Sequence, residues 1–278
     1  EIVRAHAARH AEADSWIQAN LPGSATALMS PRIGWVDGPA AWTALQRHRH
    51  AVLDALGAAG ADLDLRLLAA LGEPCYWRSN RGTQLQDDAA NRLEMQPRNQ
   101  GSEFVRTRLR PLAKAVASRQ VEAARAGLIG AVVRDEIGKD REDSRTATGL
   151  RGPGPTDNAV AWCALWGISQ VPLALQVHRP ARTATHVRVR AEFFVVPVWR
   201  GPWHPARLRS VLNSRALDVA AAATTEENPI PAGDVGAACA WLRDRGVAAL
   251  VRFPIEVFGS TSAPERRALR GQLVRLGS

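Results

Sequence analysis

Residues 159–166, Ala-Val-Ala-Trp-Cys-Ala-Leu-Trp, constrain the fold more than any other stretch, because they leave a helix almost no polar face on which to meet water. Thr156 or Asp157 is placed to cap that helix and Gly167 to end it, while Trp162 and Trp166 fall four apart on one face. Such a helix packs inside, so the remaining chain must fold around it. The segment leading into it has the opposite character. Gly149, Gly152 and Gly154 alternate with Pro153 and Pro155 in a loop that also carries Arg145 and Arg151. Free backbone N–H groups ahead of a helix N-terminus suit an anion. The two prolines remove donors, however, and no Gly-Lys-Ser/Thr follows, so this is not a nucleotide-binding P-loop. Side-chain contact from Arg145 and Arg151 is the stronger way for this loop to hold a polyanion.

A chain of 278 residues is long enough to bury roughly 75% of its unfolded surface, and 46% hydrophobic residues with nine Trp supply a core. The formal charge of +9 favours an anionic partner, most commonly nucleic acid at this size. All but two of the basic side chains are Arg, the exceptions being Lys114 and Lys139. Arg makes bidentate phosphate contacts and stacks on bases better than Lys does. Cys75, Cys163 and Cys239 lie far apart without CxxC spacing, which reads as buried free thiols rather than disulfides or a zinc cluster. No 18-residue apolar run could cross a bilayer, and residues 1–6 lack the apolar core of a signal peptide. A soluble, cytoplasmic protein with no membrane partner is expected.

Apolar spacing predicts helices over residues 1–19, from Pro39 to Gly57, and over 65–71. Residues 75–100 are polar and irregular, with Arg98 and Asn99 among several Arg and Asn. A long helical stretch then runs from Gly101-Ser102-Glu103 to about Val133, either kinked at Pro111 or restarted there. Residues 185–190 alternate strictly, Val187 and Val189 against His186, Arg188 and Arg190, as a half-buried strand does. Residues 193–196 read as a buried strand stopped near Pro197, with Trp199 and Trp203 flanking Arg200-Gly201-Pro202. A helix from His204-Pro205, an acidic loop over 222–233, a helix around 239–243, a strand over 247–258 bent at Pro254, and a charged helix from Pro264 complete the chain. The fold class is α+β: a mostly helical region over residues 1–143, and over 144–278 a small, mostly antiparallel sheet covered by helices. The two regions either form separate domains or merge into one.

Each chemical candidate has a plainer reading. His6 and His10 have the i, i+4 spacing of a helical zinc pair, but position 7 is Ala where a metalloprotease carries its Glu, so they read as surface histidines. His48 and His50 sit on different helix faces beside Arg47 and Arg49, which oppose a cation. Asp135, Glu136, Asp140, Glu142 and Asp143 are interleaved with Arg134, Lys139, Arg141 and Arg145, as in a solvated, self-neutralised loop. No GxSxG is present, and no Ser or Cys has a local base. No metal, cofactor or catalytic residue is therefore expected, and the chain reads as a non-enzyme. Arg188 and Arg190 in strand register, with Arg179 and Arg182 just upstream, form a stripe that phosphates could follow. Together with Arg145 and Arg151 they are the expected nucleic-acid contacts, with Arg98 and Asn99 as a secondary site. Two other readings compete: a hydrolase or transferase acting on an anionic small molecule held before Ala159, and a structural scaffold.

Asp157-Asn158 with Ala161-Trp162-Cys163-Ala164-Leu165-Trp166-Gly167-Ile168 and Pro172, then Phe193-Phe194-Val195-Val196-Pro197-Val198-Trp199, then Arg207-Leu208-Arg209-Ser210-Val211-Leu212, resemble the C-terminal part of CRISPR-associated proteins of the type I-G (formerly I-U) subtype. The resemblance spans roughly residues 144–255. Trp241-Leu242-Arg243-Asp244-Arg245-Gly246-Val247 is similar to a segment late in the large subunit of those systems. It implies a non-enzymatic large or accessory subunit of a Cascade ribonucleoprotein in antiviral defence, which binds CRISPR RNA (crRNA) with its sister subunits and engages target DNA.

Overall fold

The apolar helix that opens the sequence argument lies where its composition demands, with Trp162 fully buried and Trp166 half-buried. The computed structural model describes residues 1–23, 27–30, 38–71, 77–80, 83–86, 91–92, 105–138, 155–171, 173–174, 193–222, 231–260 and 263–277. The chain is α+β, and its described residues fall into two compact units, one over Glu1–Ser169 and one over Gln170–Pro180 and His186–Ser278. The units divide after Ser169 rather than at 143/144, because the apolar helix packs on helices that precede it.

In the first unit the helices are α1 (Ile2–Ala11), α2 (Gly38–Ala58), α3 (Asp62–Leu71), α4 (Arg110–Ser118), α5 (Val121–Leu128) and α6 (Asn158–Ile168). The helix expected over 1–19 stops at Ala11, and a 3-10 turn at Trp16–Gln18 follows. Arg110 Nε donates to the carbonyl of Ala11, satisfying one of the open acceptors at the end of α1. Of the two expectations at Pro111, a kink or a restart, the structure has the restart: after a π-helical turn over Val105–Leu109, α4 begins with Pro111 in its first turn, and α5 follows separately. Pro111 there lacks only an N–H that would have had no partner. A hairpin that the polar composition of residues 75–100 did not suggest pairs β1 (Trp77–Asn80) with β2 (Thr83–Gln86), and Asn91–Arg92 forms a short β3. The core gathers Ile17 and Met29 with Leu45, Leu67, Leu71, Leu109, Val116 and Trp162 from α2, α3, the π turn, α4 and α6.

Asp157 rather than Thr156 caps α6, accepting from the N–H groups of Ala159 and Val160. The same carboxylate takes both oxygens to one nitrogen of Arg119, at 2.8 and 3.0 Å, and Arg119 reaches Glu136 from Nε (2.9 Å) and a terminal nitrogen (2.7 Å). That nitrogen also donates to the Arg134 carbonyl, and the Arg134 N–H returns to Asp157. Asn158 accepts from Ile137 N–H and donates to Asp135. The described part of the acidic segment is largely exposed, as its sequence reading has it, and is tied down by Arg119 and Asn158. Gly127 faces this site so closely that a Cβ would overlap both Asp157 oxygens.

The second unit contains a two-residue β4 (Leu173–Ala174), then β5 (Phe193–Trp199), α7 (Pro205–Leu212), α8 (Arg215–Ala222), α9 (Ala232–Asp244), β6 (Val247–Ser260), β7 (Ala263–Ala268) and β8 (Gln272–Arg275). The first half of β6 lies between antiparallel β5 and β8, while its second half pairs with β7. β5 runs through Pro197 instead of stopping there, since an edge strand has one side whose N–H groups need no partner. The charged helix expected from Pro264 is instead β7 and β8, a correction: pairing with the long β6 outweighs the local helical composition. Val211, Leu217, Ala221 and Leu242 of α7, α8 and α9 cover Phe193, Val195, Val247 and Leu250. The strand expected over 185–190 and the loop over 223–230 lie outside the described residues. Among the described residues, no helix is long and apolar enough to cross a membrane.

The Arg119 hub makes stability depend on pH in a stated direction. Burial pushes the Asp157 carboxyl up, but hydrogen bonds from Arg119, Arg134 N–H and Ala159 N–H outweigh it and leave the group below its usual 3.8. Arg119 likewise holds Glu136 below its usual 4.5. Carboxyls depressed in the folded state contribute stability above their unfolded values and lose it as pH falls through the folded ones. Urea midpoints should therefore drop from about pH 4.5 downward, and Asp157→Asn should flatten that drop. An unchanged slope in the variant would show that other groups carry the acid sensitivity.

Candidate functional site

All eight residues that the sequence offers for nucleic-acid contact, Arg98, Asn99, Arg145, Arg151, Arg179, Arg182, Arg188 and Arg190, lie outside the described residues. Two other sites are built by the described part of the chain.

The first is at the end of β5. The pairing of β5 with β6 is regular to Val198↔Ala249 and then slips, Trp199 standing opposite Val247. A bulge of this kind re-aims the side chains at a strand end. Val198 and Trp199 are both exposed, Trp199 at 37%. Arg200 follows, and Gly201 has φ +71, a left-handed conformation that lets the chain fold back on itself. As a result the indoles of Trp199 and Trp203 stack, with centroids 5.0 Å apart and planes 17° from parallel. Trp203 is the anchored member: it packs against the second unit's core and on Gly246, where a Cβ would sit 3.5 Å from its Nε1. Gly246 has φ +82, and its carbonyl receives the Arg200 N–H at 3.4 Å. Arg200 and Arg207 are exposed, and no side-chain partner for either is seen among the described residues. Nearby in sequence, the Arg245 guanidinium lies 3.6 Å over the ring of Trp241, in cation–π contact. An open aromatic face flanked by arginines is the surface on which a nucleobase stacks while its phosphate is neutralised.

The second site is buried. His6 and His10, expected at the surface, are 2% and 1% exposed, and Asp64 of α3 is 3% exposed beside them. This corrects the surface reading. It failed because the third member comes from a different helix, so its sequence distance gave no warning. His10 Nε2 is 2.8 Å and His6 Nε2 3.8 Å from Asp64 Oδ1. His6 Nε2 has no formed hydrogen bond. Trp16 Nε1 donates to the same Oδ1 at 2.9 Å, and Arg9 pairs with Oδ2 at 3.1 Å from the solvent side. His10 Nδ1 contacts Ser15 Oγ at 2.9 Å, and Trp162 Nε1 donates to His6 Nδ1 at 3.1 Å. Burial and the neighbouring His10 hold His6 down to about 4. Burial raises the Asp64 carboxyl, but contact with His10, the Trp16 hydrogen bond and the Arg9 charge bring it down to about 2. Only the His6–His10 spacing marked this site in the sequence.

Of the cysteines, Cys163 and Cys239 are free and half-buried, and burial pushes the Cys163 thiol up to about 11, which makes it a poor nucleophile. Cys75 lies outside the described residues. The chain matches no protein-family model, no curated protein and no solved structure.

The Trp199–Trp203 stack has an optical consequence. Two coupled indoles at this separation should give an exciton couplet in circular dichroism that Trp199→Phe abolishes. Gly246→Ala, strained at positive φ beside Trp203, should weaken the same signal. An unaltered spectrum in Trp199→Phe would mean that the rings do not stack in solution.

Proposed function

We propose that the protein is a non-catalytic, nucleic-acid-binding subunit of a CRISPR type I effector. In this reading it acts in the cytoplasm with crRNA, target DNA and other Cascade subunits. Support for nucleic acid comes above all from the exposed Trp199 face, backed by Trp203 and bordered by Arg200. The excess of Arg over acidic residues supports it further, since phosphate neutralisation drives such binding. Support for the CRISPR assignment is the sequence resemblance over residues 144–255. The stretches carrying it include the strand that ends in Trp199 and the segment Trp241–Val247, whose Gly246 lies beside Trp203.

Against the alternative of an enzyme acting before Ala159, two described carboxylates near that position are already committed. Asp157 and Glu136 accept from Arg119 and are held ionised. A carboxylate held in this way is a weak base.

The test is binding of the purified chain to short single-stranded RNA and DNA. Affinity should fall by more than about tenfold between ~50 and ~200 mM salt if several phosphates are contacted. Trp199→Ala should cost about 1–3 kcal/mol, or roughly 5- to 150-fold in Kd, for the loss of one stacking partner. Arg200→Ala should instead lower the salt slope by about one contact. Salt-independent binding, or a Trp199→Ala variant with undiminished affinity, would sink the assignment.

A further inference from the structure

We infer that His6, His10 and Asp64 form a binding site for a borderline divalent metal ion, zinc above all. Two imidazoles and one carboxylate converge here from α1 and α3, and their ligating atoms lie within 4.8 Å of one another. A tetrahedral zinc ion with bonds of about 2.0–2.1 Å spaces its donors roughly 3.3 Å apart. The contacts of 2.8 and 3.8 Å from the two Nε2 atoms to Asp64 Oδ1 bracket that spacing, so small side-chain movements suffice. The donor set selects the metal. Calcium and magnesium want more oxygens than one carboxylate provides, whereas two nitrogens and one oxygen suit zinc and leave a fourth position for water.

Three features point to an ion rather than to a closed polar cluster. His6 Nε2 is buried 3.8 Å from the carboxylate without a hydrogen bond, a deficit that a folded core seldom keeps for nothing. His10 has the outer partner typical of a ligand, Ser15 Oγ at Nδ1, which can hold the ring with its Nε2 lone pair turned toward Asp64. Asp64 is likewise held from outside, by Arg9 on the oxygen that points away from the histidines.

Three contacts oppose loading: the Arg9 charge and the Trp16 N–H on Asp64, and the Trp162 indole on His6. The Trp162 indole N–H can only donate, so His6 Nδ1 accepts and the His6 proton sits on Nε2. Metal binding moves that proton to Nδ1 and breaks the indole bond, exchanging one neutral hydrogen bond for a bond to a dication.

The full-length protein, stripped with chelator, would be titrated with zinc and separately with cobalt(II). One equivalent should bind with a rise in Tm, and cobalt should give visible ligand-field bands of a nitrogen-and-oxygen site. His10→Gln and Asp64→Asn should each weaken zinc by at least about 100-fold while circular dichroism stays native. His48→Ala with His50→Ala, both exposed, should leave the stoichiometry at one. No uptake by the wild type at micromolar zinc overturns the site. So does full affinity in His10→Gln and Asp64→Asn, or loss of binding in the His48/His50 variant. Should the core variants not fold, the cobalt bands of the wild type decide: their presence supports the site and their absence rejects it.

Discussion

Taking the Arg119 guanidinium out of water costs free energy that only close opposite charge can return, and in the first unit it is returned by Asp157 and Glu136 together. The arrangement matters because Arg119 stands in the break between α4 and α5, while Asp157 is the cap on which α6 begins. One ion pair therefore fixes where a helical run is interrupted and where the most apolar helix of the chain starts. Because Glu136 is itself partly exposed, Asp157 is the partner whose loss leaves the buried guanidinium least compensated. With α6 held, Trp162 is delivered to the core against α1, and the unit's apolar packing follows from that placement.

Local chemistry made α6 readable from the sequence, because capping, apolar content and paired indoles all acted within a dozen residues. The helices starting near Pro39 and at Pro205 were legible for the same reason, as was the strand through Pro254. Misreadings occurred where a distant partner decided the outcome. Residues after Pro264 have a charged, helix-compatible composition, yet a 14-residue β6 offers them backbone pairing that no local propensity can match. His6 and His10 looked like surface residues because the carboxylate that burial requires lies 54 positions after the second of them, in α3. Among the proposed functional residues, the Trp-Arg-Gly-Pro-Trp segment could be seen as a turn flanked by aromatics. Its stacking depended on a bulge in a strand pair formed with residues almost fifty positions away.

The second unit joins an apolar layer to an exposed aromatic one through a single strand. Inward positions of β5, at Phe193, Val195 and Pro197, are buried, and the alternation ends at the bulge where Val198 and Trp199 turn outward. Trp203 then spans both layers, its ring supported by Gly246 and the core on one side and by Trp199 on the other. Support of this kind matters for recognition, since a ring already fixed in place loses little conformational entropy when a partner stacks on it.

Gly127 carries a consequence beyond packing. Its missing side chain is the space that the Asp157 carboxylate occupies while it binds Arg119, so positions 119, 127 and 157 are not independent letters of the sequence. An alanine at 127 is excluded while Asp157 is present, and a shorter residue at 157 leaves Arg119 with Glu136 alone. Drift at this corner of the molecule is therefore confined to concerted exchanges, in which the charge, its acceptor and the gap that admits it are replaced together. A lineage that kept the α6 cap would keep all three.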